Sequence, residues 1–197
     1  MENRFDQTCR KTYQGSRIQY GILRGNAQIV LIKSGTGGSC RGYEDKYLKM
    51  ALRLRERRGY SVICASNPDD CDATYPADKK IIADYAREQG FEEYQVYGIG
   101  VSDGAYQVLQ LAATLPQTQK LLLINPSTAG ADDFIVKLQA VSQIEKHLVY
   151  GTLDDEFACL SQLNAANVPN TEIRTVPGAD HRFTALSAEL IALADVL

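Results

Sequence analysis

Hydrophobic residues along this chain fall into two kinds of run that alternate. One kind is short and continuous: Ala27 to Ile32 (AQIVLI), Tyr60 to Ala65 (YSVICA), Tyr94 to Ile99, Lys120 to Ile124 (KLLLI), Lys146 to Tyr150 and Glu172 to Val176. These predict strands, and AQIVLI reads as one buried on both faces. The other kind recurs at helical spacing: Tyr47, Leu48, Ala51 and Leu54 before Gly59; Ala105, Val108, Leu109 and Ala112 before Pro116; Leu186, Leu190, Leu193 and Leu197. Further helices are predicted from Pro76 to Gln89, with Pro at the start and Gly90 past the end, from Asp132 to Gln143, and from Glu156 to Ala166. Phe5 to Tyr13 and Ser16 to Leu23 flank Gln14-Gly15 and predict an antiparallel hairpin. A hairpin followed by repeated strand–helix units predicts one α/β domain over residues 1–197, a mostly parallel sheet with helices on both faces.

Composition narrows the function classes. The 197 residues are 45% hydrophobic and 23% charged, an ordinary globular balance, and the net charge of −3 gives no reason to expect nucleic acid or anionic lipid as partner. Arg53, Arg55, Arg57 and Arg58 crowd the last turn of one predicted helix, where a solvated face complementing the helix dipole is expected. No apolar run approaches the roughly 18 residues of a membrane helix. The stretch from Met1 to Arg10 is polar, with no secretory apolar core. The five cysteines (Cys9, Cys40, Cys64, Cys71, Cys159) are odd in number and form no CxxC pair, which predicts reduced thiols in a cytoplasmic protein. Cys64 and Cys159 read as core residues. With only His147 and His181 in the chain, a structural metal is not expected, and the acidic stretch Asp69, Asp70, Asp72 reads as a solvated loop.

In sheets of this class, chemistry gathers at the carboxyl ends of the strands. Four of those ends carry a signal. Gly100-Val101-Ser102-Asp103-Gly104, between a predicted strand and a predicted helix, matches Gly-x-Ser-x-Gly, the elbow that lifts a serine hydroxyl above a sheet. Two other readings stand beside it. One is an inert glycine-rich turn. The other is a nucleotide loop, for which Asp103 stands where a glycine is needed and Asn125-Pro126 where an acidic residue should end the next strand. The second end, Tyr150 to Asp155, offers Asp154, three residues past Gly151, with Asp155 in reserve; an acidic helix start is the bland reading of both. At the third, Val176 to Phe183, His181 follows the last strand, whereas His147 begins a strand, at the wrong edge of the sheet. Asp180, adjacent to His181, reads as a cap of the final helix or an exposed residue. The fourth, Lys33 to Ser39, is glycine-rich but reads Gly38-Ser39-Cys40-Arg41 rather than Gly-Lys-Ser/Thr, so it fits a bend presenting backbone N–H groups better than a phosphate loop.

The order Ser102, Asp154, His181, each at its own strand end, resembles the α/β-hydrolase superfamily along essentially the whole chain. The motifs carrying the likeness are Ser34-Gly35-Thr36-Gly37-Gly38, Gly100 to Gly104, Gly151 to Asp154 and Gly178 to His181. Superfamily members commonly have His-Gly at the first of these, and Ser34 replaces that histidine here. The resemblance implies an eight-stranded α/β-hydrolase-like sheet and a Ser102–His181–Asp154 triad. Its oxyanion hole would be made by the N–H groups of Asp103 and Thr36, with Gly37 the alternative. It also implies a capless serine hydrolase of carboxylesterase or thioesterase type, because the segment between Ile124 and Lys146 has room for the core helix and little more. The substrate would be a small-molecule or carrier-bound acyl ester or thioester, with no cofactor and no metal, and the Tyr75 loop and Arg182-Phe183 are expected at the entrance. Two other classes remain: a non-catalytic or slow-turnover ligand-binding protein of the same fold, and a nucleotide-binding α/β module.

Overall fold

The computed structural model describes residues 4–71, 73–127 and 131–197. Asp72 of the acidic loop lies outside them. The elements run in the order β1 (Gln7–Tyr13), β2 (Ser16–Leu23), β3 (Asn26–Lys33), α1 (Lys46–Arg58), β4 (Tyr60–Ala65), α2 (Tyr75–Glu88), β5 (Gln95–Val101) and α3 (Asp103–Thr114). Then follow β6 (Thr118–Ile124), α4 (Ala131–Ala140), β7 (Glu145–Gly151), α5 (Leu160–Ala166), β8 (Thr171–Val176) and α6 (Ser187–Leu193).

The strands form one eight-stranded sheet in the order β1-β2-β4-β3-β5-β6-β7-β8. β1 and β2 pair antiparallel, as does β2 with β4; every other pairing is parallel. β3 shows why the sheet is covered twice. Ile29 and Leu31 point into a core beneath α2, α3, α4 and α5, while Val30 and Ile32 alternate into a second core beneath α1 and α6. Period-2 alternation of branched apolar residues on both faces leaves neither face able to meet water, so helices must cover each. The run ends in Lys33, fully buried, whose ammonium lies 2.9 Å from the Asp78 carboxylate on α2 and donates to Ser66 O.

Element ends differ from expectation where a side chain intervenes. α4 stops at Ala140 rather than Gln143, and the carbonyls of Val141 and Ile144 are taken by the buried Lys146 ammonium at 3.0 and 2.6 Å. The predicted helix from Glu156 begins instead as a 3-10 turn, Asp155–Cys159, before α5 takes over. α6 tightens into a 3-10 turn over Ala194–Val196. Arg53 and Arg57 both pair with Asp195, and Arg55 with Asp6, so the arginine-rich end of α1 is partnered. All five cysteines are free thiols, with Cys64 and Cys159 buried. No helix among the described residues is long and apolar enough to cross a membrane.

Candidate active site

Ser102 joins β5 to α3 with φ 55° and ψ −127°, a conformation in which an L-residue is strained. The glycines around it are a steric requirement. A Cβ at Gly100 would lie 2.3 Å from Ala105 Cα, and one at Gly104 would lie 2.3 Å from Ser34 O. The helix therefore turns back hard against the strand, and the segment after β3 crosses directly over it. Ser102 N donates to Ile124 O at 2.9 Å, which fixes the elbow to β6.

The three strand ends converge. Ser102 Oγ lies 3.0 Å from His181 Nε2, and His181 Nδ1 lies 2.9 Å from Asp154 Oδ2. An ionised carboxylate can only accept, so the proton of a neutral imidazole belongs on Nδ1, leaving Nε2 to accept from the hydroxyl. Asp154 is buried, and its other oxygen accepts from Glu156 N at 3.0 Å, so both oxygens are engaged. Asp155, exposed, opens the 3-10 turn and makes no hydrogen bond to the ring among the described residues. Asp180 does not cap α6. Its carboxylate accepts from Arg182 N and Thr184 N at 3.1 and 2.8 Å, bracing its own turn, and those backbone donors hold its carboxyl below the usual range.

The segment after β3 forms a tight turn in which Gly38 N donates to Gly35 O, with Thr36 and Gly37 central and Gly37 at φ 67°. A Cβ on Gly35 would lie 3.1 Å from Ser102 Cβ, so this turn passes right beside the hydroxyl. The N–H groups of Thr36 and Gly37 have no hydrogen-bond partner among the described residues. Asp103 opens α3, where backbone N–H groups lack intrahelical partners. Ser34 is buried and donates to Gly38 O at 2.9 Å, closing the turn on itself.

Two asparagines that sequence reasoning left out hold these pieces together. Asn125, fully buried at the end of β6 with φ 42°, accepts from Gly151 N and donates to the carbonyls of Asp180 and His181. One amide thus ties the strand end leading to Asp154 to the loop carrying His181. Asn67 does the same for the other half. Its N–H donates to Gly38 O, its side-chain amide donates to the Asp103 carboxylate at 2.8 Å, and its side-chain carbonyl accepts from Thr74 Oγ1. The only sequence signal for Asn125 was an asparagine at a strand end, a residue type that tolerates left-handed backbone. Asn67 offered none.

A cavity of about 320 Å³ opens beside Ser102 and His181, lined also by the Gly35–Ser39 turn, Tyr43, Lys46, Tyr47 and Arg182. Two expectations about its entrance fail. Phe183, at φ 54°, turns inward and is buried beneath α1 and α6, and Tyr75 packs on the opposite core.

No family model and no curated protein matches the sequence. Solved structures do. An α/β serine hydrolase homologue from Coxiella burnetii superposes with a TM-score of 0.73 at 17% identity, covering 98% of each chain. A serine hydrolase without a lid from Xanthomonas campestris gives 0.67 at 18% identity, over 96% of this chain and 92% of that one. A thioesterase domain from the curacin biosynthetic pathway gives 0.65 at 13% identity, over 95% and 98%. This chain has the α/β-hydrolase fold. It is the capless form: of the segment 125–144, the described residues form α4 and its flanking turns.

Proposed function

We propose that this protein is a serine hydrolase that cleaves carboxylic ester or thioester bonds through an acyl-enzyme on Ser102. The observation that carries the reading is the hydrogen-bonded series Ser102 Oγ, His181 Nε2, His181 Nδ1, Asp154 Oδ2, with contacts of 3.0 and 2.9 Å. In the first half-reaction Ser102 Oγ attacks the acyl carbonyl carbon while His181 Nε2 takes the hydroxyl proton. The carbonyl oxygen becomes an oxyanion held by the N–H groups of Asp103 and Thr36, with Gly37 the alternative to Thr36. The intermediate collapses, the carbon–oxygen or carbon–sulfur bond to the leaving group breaks, and His181 returns the proton to it. Water, deprotonated by His181, then attacks the acyl-enzyme and frees the acid with Ser102 restored. Asp154 holds the ring in the required tautomer and stabilises its cation. These steps use side chains, backbone N–H groups and water alone.

Treatment with a fluorophosphonate probe, followed by peptide mass mapping, tests the nucleophile. A panel of activated esters and thioesters of rising acyl length tests turnover. Single labelling at Ser102 with hydrolysis of at least one member is expected. Absence of labelling, or labelling that persists in Ser102→Ala, overturns the reading. Labelling without turnover of any member would instead identify a ligand-binding protein that has kept the constellation.

A further inference from the structure

Three lysines are buried among the described residues, and Lys46 has the fewest partners and no carboxylate. Lys33 has the Asp78 carboxylate and Ser66 O. Lys146 donates to three carbonyls, those of Val141, Ile144 and Pro169. Lys46, at the start of α1 and 9% exposed, donates to a single carbonyl, Arg182 O at 3.1 Å, with its ammonium 5.3 Å from the centroid of the Tyr47 ring. No carboxylate among the described residues lies within ion-pair distance of it. An ammonium has three donors, and a buried cation without an anion is costly. Burial, and then the like charge of Arg182, push this ammonium below the ordinary lysine range; Asp180 pulls the other way. That carboxylate is already occupied by two backbone N–H groups of its own turn.

Lys46 lines the cavity that holds Ser102 and His181, and so does Arg182, whose guanidinium has no partner among the described residues. No acidic side chain lines that cavity. Its lining carries two basic side chains, while His181 and Arg182 also border a second cavity, lined by Asp154, Asp155, Glu156 and Asp180. We infer that the cavity selects substrates bearing a carboxylate or phosphate group, which Lys46 and Arg182 bind while Ser102 meets the scissile acyl carbon. The inference rests on the hydrolase reading above and names the substrate class for it. Lys46 supplies a desolvated point charge and Arg182 a planar fork, which together suit an anion of several oxygens. The anionic group completes the coordination of Lys46 and removes the unpaired charge.

The test uses two pairs of 1-naphthyl esters. In one, the acyl chain ends in a carboxylate or its methyl ester; in the other, it ends in a phosphate or its dimethyl ester. The wild-type enzyme should prefer the anionic member of at least one pair by about tenfold to a hundredfold in kcat/KM, the range that one or two charge-assisted hydrogen bonds provide. The preferred pair identifies the group. Lys46→Met and Arg182→Gln should each reduce that preference about tenfold, read as a ratio within one variant so that any general loss of activity cancels. Arg182 is exposed, so its variant keeps the test available if Lys46→Met does not fold. Equal rates within both pairs, or a preference retained in both variants, overturn the anion site and leave the hydrolase reading standing. Failure of the wild type both to label with fluorophosphonate and to cleave any of the esters overturns the hydrolase reading and this inference with it.

Discussion

The two histidines of this chain sit at opposite edges of one sheet, and their surroundings differ in a single respect that matters. His147, near the start of β7 and 8% exposed, has Glu145 2.8 Å from Nε2 and Glu172 3.0 Å from Nδ1. Glu172 is its register partner on β8. Both neighbours are carboxylates; Nε2 is hydrogen-bonded to Glu145, while Nδ1 has no hydrogen-bond partner among the described residues. His181 faces a carboxylate on one nitrogen and a hydroxyl on the other. That asymmetry gives a proton somewhere to come from and a fixed tautomer to receive it. One edge uses its polar groups as struts; the other holds them poised.

Removing the hydroxyl is the strongest way to break the comparison. Ser102→Ala should lower ester turnover by about 10⁴-fold or more while circular dichroism and thermal midpoint stay close to wild type, because no large buried surface is lost. Near-normal hydrolysis would show that the nucleophile lies elsewhere. Replacing the orienting carboxylate comes next. Asp154→Asn should cost roughly 10³-fold or more in kcat, whereas Asp155→Asn and Asp180→Asn should each cost less than about tenfold on the same ester. A crippled Asp155→Asn beside an active Asp154→Asn would reverse the assignment.

A smaller effect probes the supports. Asn67→Ala keeps the backbone N–H that meets Gly38 O but frees the Asp103 carboxylate and the Thr74 hydroxyl, so kcat should fall about tenfold with KM changed less than about twofold; the reference for a lost oxyanion donor is larger. A change confined to KM would mean that Asn67 shapes binding rather than the oxyanion site. The smallest effect belongs to the other edge. His147→Gln should leave kcat/KM within about twofold and lower the thermal midpoint slightly, because the two glutamates it faces are half-exposed and contribute little. A large loss of turnover there would erase the distinction between the edges.

Most of the frame was legible along the chain because its signals are local. β3 announced itself through continuous branched apolar residues, and the hairpin through Gln14-Gly15 between two strand-like runs. Ser102 was marked by its glycines, and Asp154 by its distance from the end of β7. The supports were not legible, because they arise only when distant segments meet. Asn125 serves carbonyls 55 and 56 residues away, and Asn67 serves a carboxylate 36 residues away. A lone amide has no periodicity to betray such a role. Phe183 was misplaced at the entrance because nothing local shows that its backbone turns left-handed and swings the ring into the core. Lys46 has no local signal either, because Arg182, whose carbonyl it meets, lies far along the chain.

Asn125 also divides the surface around the cavity into parts that tolerate redesign and parts that do not. Its amide grips the backbone at residues 180 and 181, so lengthening or shortening the loop after β8 there displaces the histidine itself. The rim from Ser39 to Tyr43 meets the cavity from the far side, and Tyr43 is 71% exposed. Changes at that rim reshape the mouth of the cavity without touching the contacts among Ser102, His181 and Asp154. The cavity can therefore be reshaped from the rim after β3, while the loop after β8 has to keep its present length.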